Sequence, residues 1–409
     1  MSNGAAIGRE HTDHVHTGAI GARARYQGAD PVHVVVIPDS FKGTLAADRV
    51  ARAMNAGVSR AAQSYGIDIR VTEIPFADGG EGTLDAVREA WGSELITCEA
   101  TDALGRPVRS GYCISADGRL ALIEAAQANG LAAVSDVSLR PRDASTRGVG
   151  RIVRDALSRG ISEILLTVGG SATTDGGTGM FRELGARFLD AAGRDLPDGG
   201  GALRDLAAID FSHLDPRVGE VKWKVAVDVT NPLTGSAGAA AVFGPQKGAG
   251  AQDVVVLDAG LVNLARVLRD AGGGDVLDVP GLGAAGGMAT LLHAFFDVEL
   301  EPGWQMVSEA VEASRYLAEA DLVVTGEGRF DAQSLDGKVI HGVRQLTPED
   351  APLVVIAGGV ELTPEELERS GVTAAYSICS GPSTLEEVAP RTAELVEWAA
   401  YQVGRLWLA

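Results

Sequence analysis

The sequence predicts an α/β fold in which both ends of the chain build one parallel sheet and a second α/β domain is inserted between them. Three observations carry this. Short runs of β-branched residues alternate with stretches of helical period, which implies parallel strands joined by right-handed crossovers. The strand–helix unit that begins at Val32 resembles the units near the C-terminus more than it resembles the irregular middle. Glycine is in excess, 53 of 409 residues, and clusters at the ends of apolar runs, where backbone turns tightly or approaches a ligand. The expected architecture is therefore a Rossmann-like domain from residues 31–75 plus 290–409, an inserted domain over 76–289, and a polar tail over 1–30.

Taken in order, the run VHVVVIP at 32–38 reads as a buried strand, followed by a helix whose apolar face is Leu45, Val50, Ala53 and Met54. Residues 69–75 read as a strand and 81–91 as a helix. Short strands are expected near 95–98, 112–115 and 120–124, then a helix at 148–158 and a strand at 164–168. A strand at 222–229 precedes an amphipathic helix at 255–270, and a glycine-rich entry leads to a helix at 288–296. A helix at 305–319, the strand DLVVT at 321–325, a glycine turn and a helix at 337–345 follow. The strand PLVVIA at 352–357, a helix at 364–370, a strand at 375–378 and a last helix close the chain. The strand at 34–37 is expected to pair beside 322–325, with the site at the carboxyl ends of strands where their order reverses.

Composition narrows the function. Hydrophobic residues at 45% and charged residues at 22% fit a globular chain. No apolar run approaches the roughly 20 residues of a membrane span. The first thirty residues carry no apolar h-region, and Cys98, Cys113 and Cys379 have no metal or redox spacing, so a reducing cytoplasm is expected. The net charge of -20 argues against nucleic acid or an anionic membrane as partner. An anionic substrate then needs a local cluster of donors. Of 35 basic residues only five are lysine: Lys42, Lys222, Lys224, Lys247 and Lys338. Where Arg is so strongly favoured, a retained lysine in a glycine-containing loop is a functional candidate. Lys222 and Lys224 flank Trp223 and are expected to face solvent.

Four loops after strands carry chemistry, because such loops aim backbone N–H groups and a helix dipole at one spot suited to an anion. Asp39, Ser40 and Lys42 follow the first strand. Asp78, Gly79, Gly80 and Gly82 form one Asp-Gly-Gly-x-Gly turn, and Gly169, Gly170 and Ser171 lead into a second, with Asp175, Gly176 and Gly177. Glu327, Arg329, Asp331 and Lys338 surround the fourth; the acids suit Mg²⁺ and the arginine suits a carboxylate or phosphate. Asp228 and Asn231 end a further strand, and Lys247 lies in a Gly-Pro-Gln-Lys-Gly turn. The stretch 281–286 matches G-x-G-x-x-G but lacks the strand a dinucleotide site requires.

Read together, PDSFKGTLAADRVA, PFADGGEGTLDAV, TRGVGRIVRDAL, VGGSATTDGGTGM, AVDVTNPLTGSAGAAAVFGPQKGA, PGLGAAGGMA and VVTGEGRFDAQSLDGKV resemble, in order, the bacterial glycerate kinase family of the type with two α/β domains. The resemblance spans nearly everything after the tail. It implies transfer of the ATP γ-phosphoryl group to glycerate with Mg²⁺, typically giving 2-phosphoglycerate. Another small hydroxy acid as acceptor is the nearest alternative, and a nicotinamide-dependent dehydrogenase is a more distant one. Phosphoryl transfer needs phosphate-cradling amides, cations, carboxylates for the metal and a group that orients the attacking hydroxyl. Accordingly Lys42, Asp175, Arg329 and Lys338 are expected to be catalytic, with Asp175 as the hydroxyl-orienting group. ATP is expected on Asp78, Gly79, Gly80, Gly82, Gly169, Gly170, Ser171, Gly176 and Gly177. Glycerate is expected on Asp39, Ser40, Asn231 and Arg329, and Mg²⁺ on Asp228, Glu327 and Asp331. The sequence leaves the enantiomer, the phosphorylated hydroxyl and any homo-oligomer open.

Overall fold

A computed structural model describes residues 31–335 and 338–409. The expectations for the tail, and for Asp336 and Gly337 ahead of Lys338, lie outside the described residues. The strands are β1 (Val32–Val36), β2 (Ile69–Glu73), β3 (Ile96–Thr101), β4 (Pro107–Ile114), β5 (Leu120–Glu124) and β6 (Glu163–Thr167). They continue as β7 (Arg187–Leu189), β8 (Ala208–Asp210), β9 (Lys222–Ala226), β10 (Val298–Glu301), β11 (Leu322–Phe330), β12 (Leu353–Val360) and β13 (Ala374–Ser377).

Five strands from the two ends of the chain form one sheet in the order β13-β12-β11-β1-β2, every pair parallel. Val34 lies opposite Leu322, the pairing expected from the two apolar runs. Chain order reverses here: β1 leads to β2 on one side, whereas β11 leads to β12 and β13 on the other. A reversal leaves a crevice at the carboxyl ends of the two central strands. The near-continuous apolar run of β1 follows from burial on both faces. Val35 and Ile37 point to one core, while Val34 and Val36 meet Val50, Met54, Val58, Val396 and Val403 in another. That second core belongs to the helices Ala47–Tyr65 and Thr392–Trp407, which approach so closely at Gly57 that a Cβ there would meet the Glu397 carbonyl at 2.3 Å.

The second sheet has six strands in the order β10-β9-β6-β5-β4-β3. β5, β6, β9 and β10 are parallel, but β3–β4 and β4–β5 pair antiparallel. Their connections are too short for a crossover, which takes a dozen or more residues. The sheet reaches Glu301, past the boundary expected at 289. β10 is an edge strand whose polar residues alternate with Val298 and Leu300, so it shows no continuous apolar run. One apolar layer serves both sheets: Val35 and Ile37 from the first and Leu122, Leu165 and Ala226 from the second share it with Phe76, Leu84, Trp304 and Val307.

Two further differences bear on the site. β11 does not end at Thr325; it stays paired with β12 through Gly326, Arg329 and Phe330, so the expected glycine turn is strand. Gly326 permits this, since a Cβ would meet the Ile356 carbonyl at 2.0 Å. The helix expected over 305–319 is two helices, Gly303–Ala310 and Ala313–Leu317, separated at Glu312 with φ of 53°. Among the described residues no helix is long and apolar enough to cross a membrane.

Gly303 joins the parts. A Cβ there would lie 2.0 Å from the Asp78 carbonyl and 2.7 Å from Gly79 Cα. Gly303→Ala is expected to cost about 1–3 kcal/mol as an overpacked contact. Gly381→Ala, with nothing within 4 Å of its Cβ, is expected to stay within about 0.5 kcal/mol. Denaturant unfolding of both variants checks this; equal midpoints would mean that the contact gives way freely.

Candidate active site

Two cavities open at the carboxyl ends of the sheets and share Lys42 and Asp78 in their walls. One, of about 470 Å³, lies at the reversal between β1 and β11 and is lined by Asp39, Ser40, Glu327, Gly328, Arg329, Asp331, Gln333 and Lys338 besides the shared pair. The other, of about 330 Å³, is walled by the turns after β2, β6 and β9, with Phe243, Lys247, Ala284 and Ala285 on its remaining side.

The first cavity is crowded with charge. Lys42 Nζ stands 3.4 Å from Asp78 Oδ2. Burial pulls the Lys42 amine down, but the carboxylates of Asp78 and Asp39 outweigh it and hold the pKa above its ordinary value. Asp39 is buried after β1; its Oδ1 accepts the Ser40 N–H at 2.6 Å. Burial, reinforced by the Asp78 charge, pushes its pKa up to about 7. Glu327 projects from β11, is likewise buried and raised, and its Oε1 has no hydrogen-bond partner among the described residues. An orphaned, desolvated carboxylate oxygen calls for a cation. Arg329 is exposed and paired with Asp331 at 3.1 Å and with Glu361. Lys338 precedes the helix Val339–Leu346.

The second cavity is a backbone cradle. Gly79, Gly80, Gly169, Gly170 and Ser171 all line it. The two glycine turns touch: a Cβ on Gly169 would lie 3.1 Å from Gly80 Cα. Asp78 Oδ1 accepts the Gly80 N–H at 2.9 Å, which holds that turn. Asp228 enters from β9; burial pushes its pKa up to about 6, although its Oδ1 accepts the Gly303 N–H at 2.8 Å. Ala285, from the G-x-G-x-x-G stretch, carries a left-handed φ of 51°. That stretch ends in the 3₁₀ turn Ala284–Gly286 and follows no strand directly, so it is not a dinucleotide βαβ turn.

Several expected site residues lie elsewhere. Asp175 is fully buried and lines neither cavity. Its Oδ2 accepts the Thr146 N–H at 2.8 Å, the Thr146 hydroxyl at 2.9 Å and the Gly179 N–H at 3.2 Å, while Oδ1 accepts Gly177 N–H at 3.2 Å. It ties together the starts of the helices Arg147–Leu157 and Thr178–Glu183. Gly176 and Gly177 face protein: Cβ atoms there would meet Leu264 Cδ2 and the Met288 carbonyl, each at 2.3 Å. Gly82 starts the helix Thr83–Trp91, but its anion seat is taken by Glu124, which accepts the Leu84 N–H at 2.9 Å and the Gly82 N–H at 3.4 Å. Asn231 donates its side-chain amide to the Ala237 carbonyl at 2.8 Å and lines neither cavity. The three expected metal carboxylates are divided, Asp228 in one cavity and Glu327 with Asp331 in the other. Among the described residues no group of three His, Cys, Asp or Glu forms a metal cage. Lys224 does not face solvent; it is covered by Glu309, Glu301 and Glu299.

Lys247 is 3% exposed and lines the glycine cavity. Its Nζ donates to Ser171 Oγ at 3.0 Å and to the Thr173 carbonyl at 2.6 Å. Only its scarcity and its glycine neighbours could have marked it in the sequence.

Comparison with known proteins gives one family. The model of the "Glycerate kinase family" matches residues 34–408. The chain is 41% identical over 372 residues to a glycerate kinase of Bacillus subtilis, covering 91% of this chain and 96% of that one. It is 41% identical over 355 residues to the glycerate 2-kinase of Escherichia coli, with 87% and 92% covered. A crystal structure described as glycerate kinase 2 of Salmonella typhimurium superposes with a TM-score of 0.83 at 41% identity, covering 92% of this chain and 98% of that one.

The burial of Asp175 generates a prediction. Asp175→Asn is expected to lower stability by about 1.5–3 kcal/mol, the worth of hydrogen bonds to a charged group, with turnover per folded molecule held within about threefold. Thermal unfolding beside a turnover assay checks this. Lost turnover at an unchanged midpoint would return Asp175 to the reacting atoms.

Proposed function

The chain belongs to the glycerate kinase family, and we propose that it transfers the γ-phosphoryl group of ATP to glycerate, giving 2-phosphoglycerate. What carries the reading is the wall that Lys42 and Asp78 provide to both cavities. A donor held on one side of that wall and an acceptor on the other would meet there. ATP takes the glycine cavity, where the N–H groups of Gly79 and 169–171 receive phosphate oxygens. Glycerate takes the charged cavity, its carboxylate toward Arg329 and its reacting hydroxyl toward Asp39. A cytoplasmic setting, and a division into a discontinuous outer domain and an inserted one, belong to the same reading.

In the transfer, the glycerate hydroxyl oxygen bonds to the γ-phosphorus as the bond from that phosphorus to the β–γ bridging oxygen breaks. ADP leaves, and the hydroxyl proton passes to Asp39. A buried carboxyl with a pKa of about 7 is matched to that task near neutrality. Lys42 and Lys338 face the negative charge of the transferring group. The orphaned Oε1 of Glu327 fits Mg²⁺, which takes one or two carboxylates and completes its shell with phosphate oxygens and water. When bound, the ion would neutralise charge on the phosphates.

A coupled ADP-release assay with D-glycerate, ATP and Mg²⁺, with the product read by ³¹P NMR, tests the function. ADP formed without phosphoglycerate would refute it. Lys42→Ala and Lys338→Ala are expected to lower turnover by about 10²–10³ with thermal midpoints retained. Lys222→Ala, at an exposed pair with Glu299, is the control, expected within about 0.5 kcal/mol of parent stability and at parent turnover. Turnover kept by both site variants would remove the lysines from the mechanism.

A further inference from the structure

Lys247 ends the 3₁₀ turn Pro245–Lys247 and reaches across to the loop after β6. Its two acceptors, a hydroxyl and a carbonyl, are both neutral. Among the described residues no carboxylate lies within ion-pair distance of it. The charged groups that face it are few. Asp175 acts from the β6 loop, and Lys42, Asp78, Glu81 and Asp228 lie around the same cavity. An ammonium group buried without a counter-charge is costly, and breaking up a buried pair is costly for the same reason. Protein interiors therefore rarely hold such a lysine unless something else supplies the anion. Here the missing anion has a place to come from, because Lys247 and its acceptor Ser171 both line the cavity formed by the glycine turns.

We infer that Lys247 is the cation that receives the nucleotide's polyphosphate, and that it takes up a proton as the polyphosphate enters. This rests on the glycine cavity being the nucleotide site. Free of ligand, the amine is held down to about 7 by burial, with the Asp175 charge only partly opposing. The polyphosphate then supplies the counter-charge that the fold lacks. The group acts as a switchable cation: neutral when alone above neutrality, charged when paired. The direction for stability follows. A lysine whose folded pKa lies below its unfolded one binds fewer protons folded, so its penalty is full below about pH 7 and fades as pH rises toward the ordinary lysine value. Replacing Lys247 by methionine removes that penalty.

The test is calorimetric titration of the full chain with Mg²⁺ and a non-hydrolysable ATP analogue. It is run at ~pH 8 in two buffers of different ionisation enthalpy. The parent is expected to bind with net proton uptake. Lys247→Met is expected to bind about ten- to a hundredfold more weakly, the loss of one charged hydrogen-bond donor, and to show a smaller uptake. Asp228 also gains protons when an anion arrives, so the difference between parent and variant is what reports Lys247. The variant's thermal midpoint is expected to equal or exceed the parent's, and most so in mild acid. Should the variant not fold, the parent alone decides, because its affinity must weaken as pH rises from about 7 to about 9. Equal uptake in parent and variant, unchanged affinity with a lowered midpoint, or a parent affinity flat with pH would overturn the inference. A parent that binds no analogue at all would overturn the nucleotide reading itself, a distinct result.

Discussion

The 78–80 turn lies against the first residue of the helix Gly303–Ala310 with no side chain between them. Gly303 is the only residue type that permits this, since a Cβ would sit 2.0 Å from the Asp78 carbonyl. The same residue gives its N–H to Asp228 at 2.8 Å, so three connections are pinned at one point: the turn after β2, the turn after β9 and the entry from β10. The carboxyl ends of both sheets are thereby brought together. Asp78 becomes the wall between two cavities, and Lys42 reaches it from the turn after β1.

Electrostatics at this junction runs opposite to that of the chain as a whole. A net charge of -20 repels anions at long range, but such fields are screened beyond roughly 8–10 Å at ordinary ionic strength. Within the cavities burial dominates. It raises Asp39, Asp228 and Glu327, so these acids favour a proton or a cation over free ionisation. It also lowers Lys247. Desolvation thus leaves acids short of cations and an amine short of an anion, and the proposed magnesium–nucleotide complex would bring both. An acidic protein can accept an anionic substrate on these terms.

Much of the sheet was legible in the sequence, and the reason is periodicity. The runs at 34–38 and 322–324 are apolar because both faces of their sheet are covered, and their pairing follows. That Asp39, Lys42, Asp78, Glu327 and Lys338 line one cavity was legible because charge at the end of such a run has no packing role. Other positions were not. Glycine density marks close backbone approach without saying what approaches or what lies beside it: Gly79 meets Gly303 and Gly169 meets Gly80 at the edge of a cavity, whereas Gly176 and Gly177 meet Leu264 and Met288. Asp175 shares its motif with Asp78, yet it is buried outside both cavities, a difference the motif does not report. Glu124 fills a helix start from forty residues away, a distance no local pattern reports. The glycines of 326–328 read as a turn because their strand pairing depends on β12, and the burial of Lys247 depends on the loop after β6.

The central claim is that donor and acceptor sit on opposite sides of the Lys42–Asp78 pair. A crystal structure of the chain with Mg²⁺, a non-hydrolysable ATP analogue and D-glycerate tests it most directly. The account predicts the triphosphate along 79–80 and 169–171, its terminal phosphate at Lys42, and glycerate between Asp39 and Arg329. A nucleotide in the cavity of Glu327 and Lys338, or glycerate beside Lys247, would contradict it.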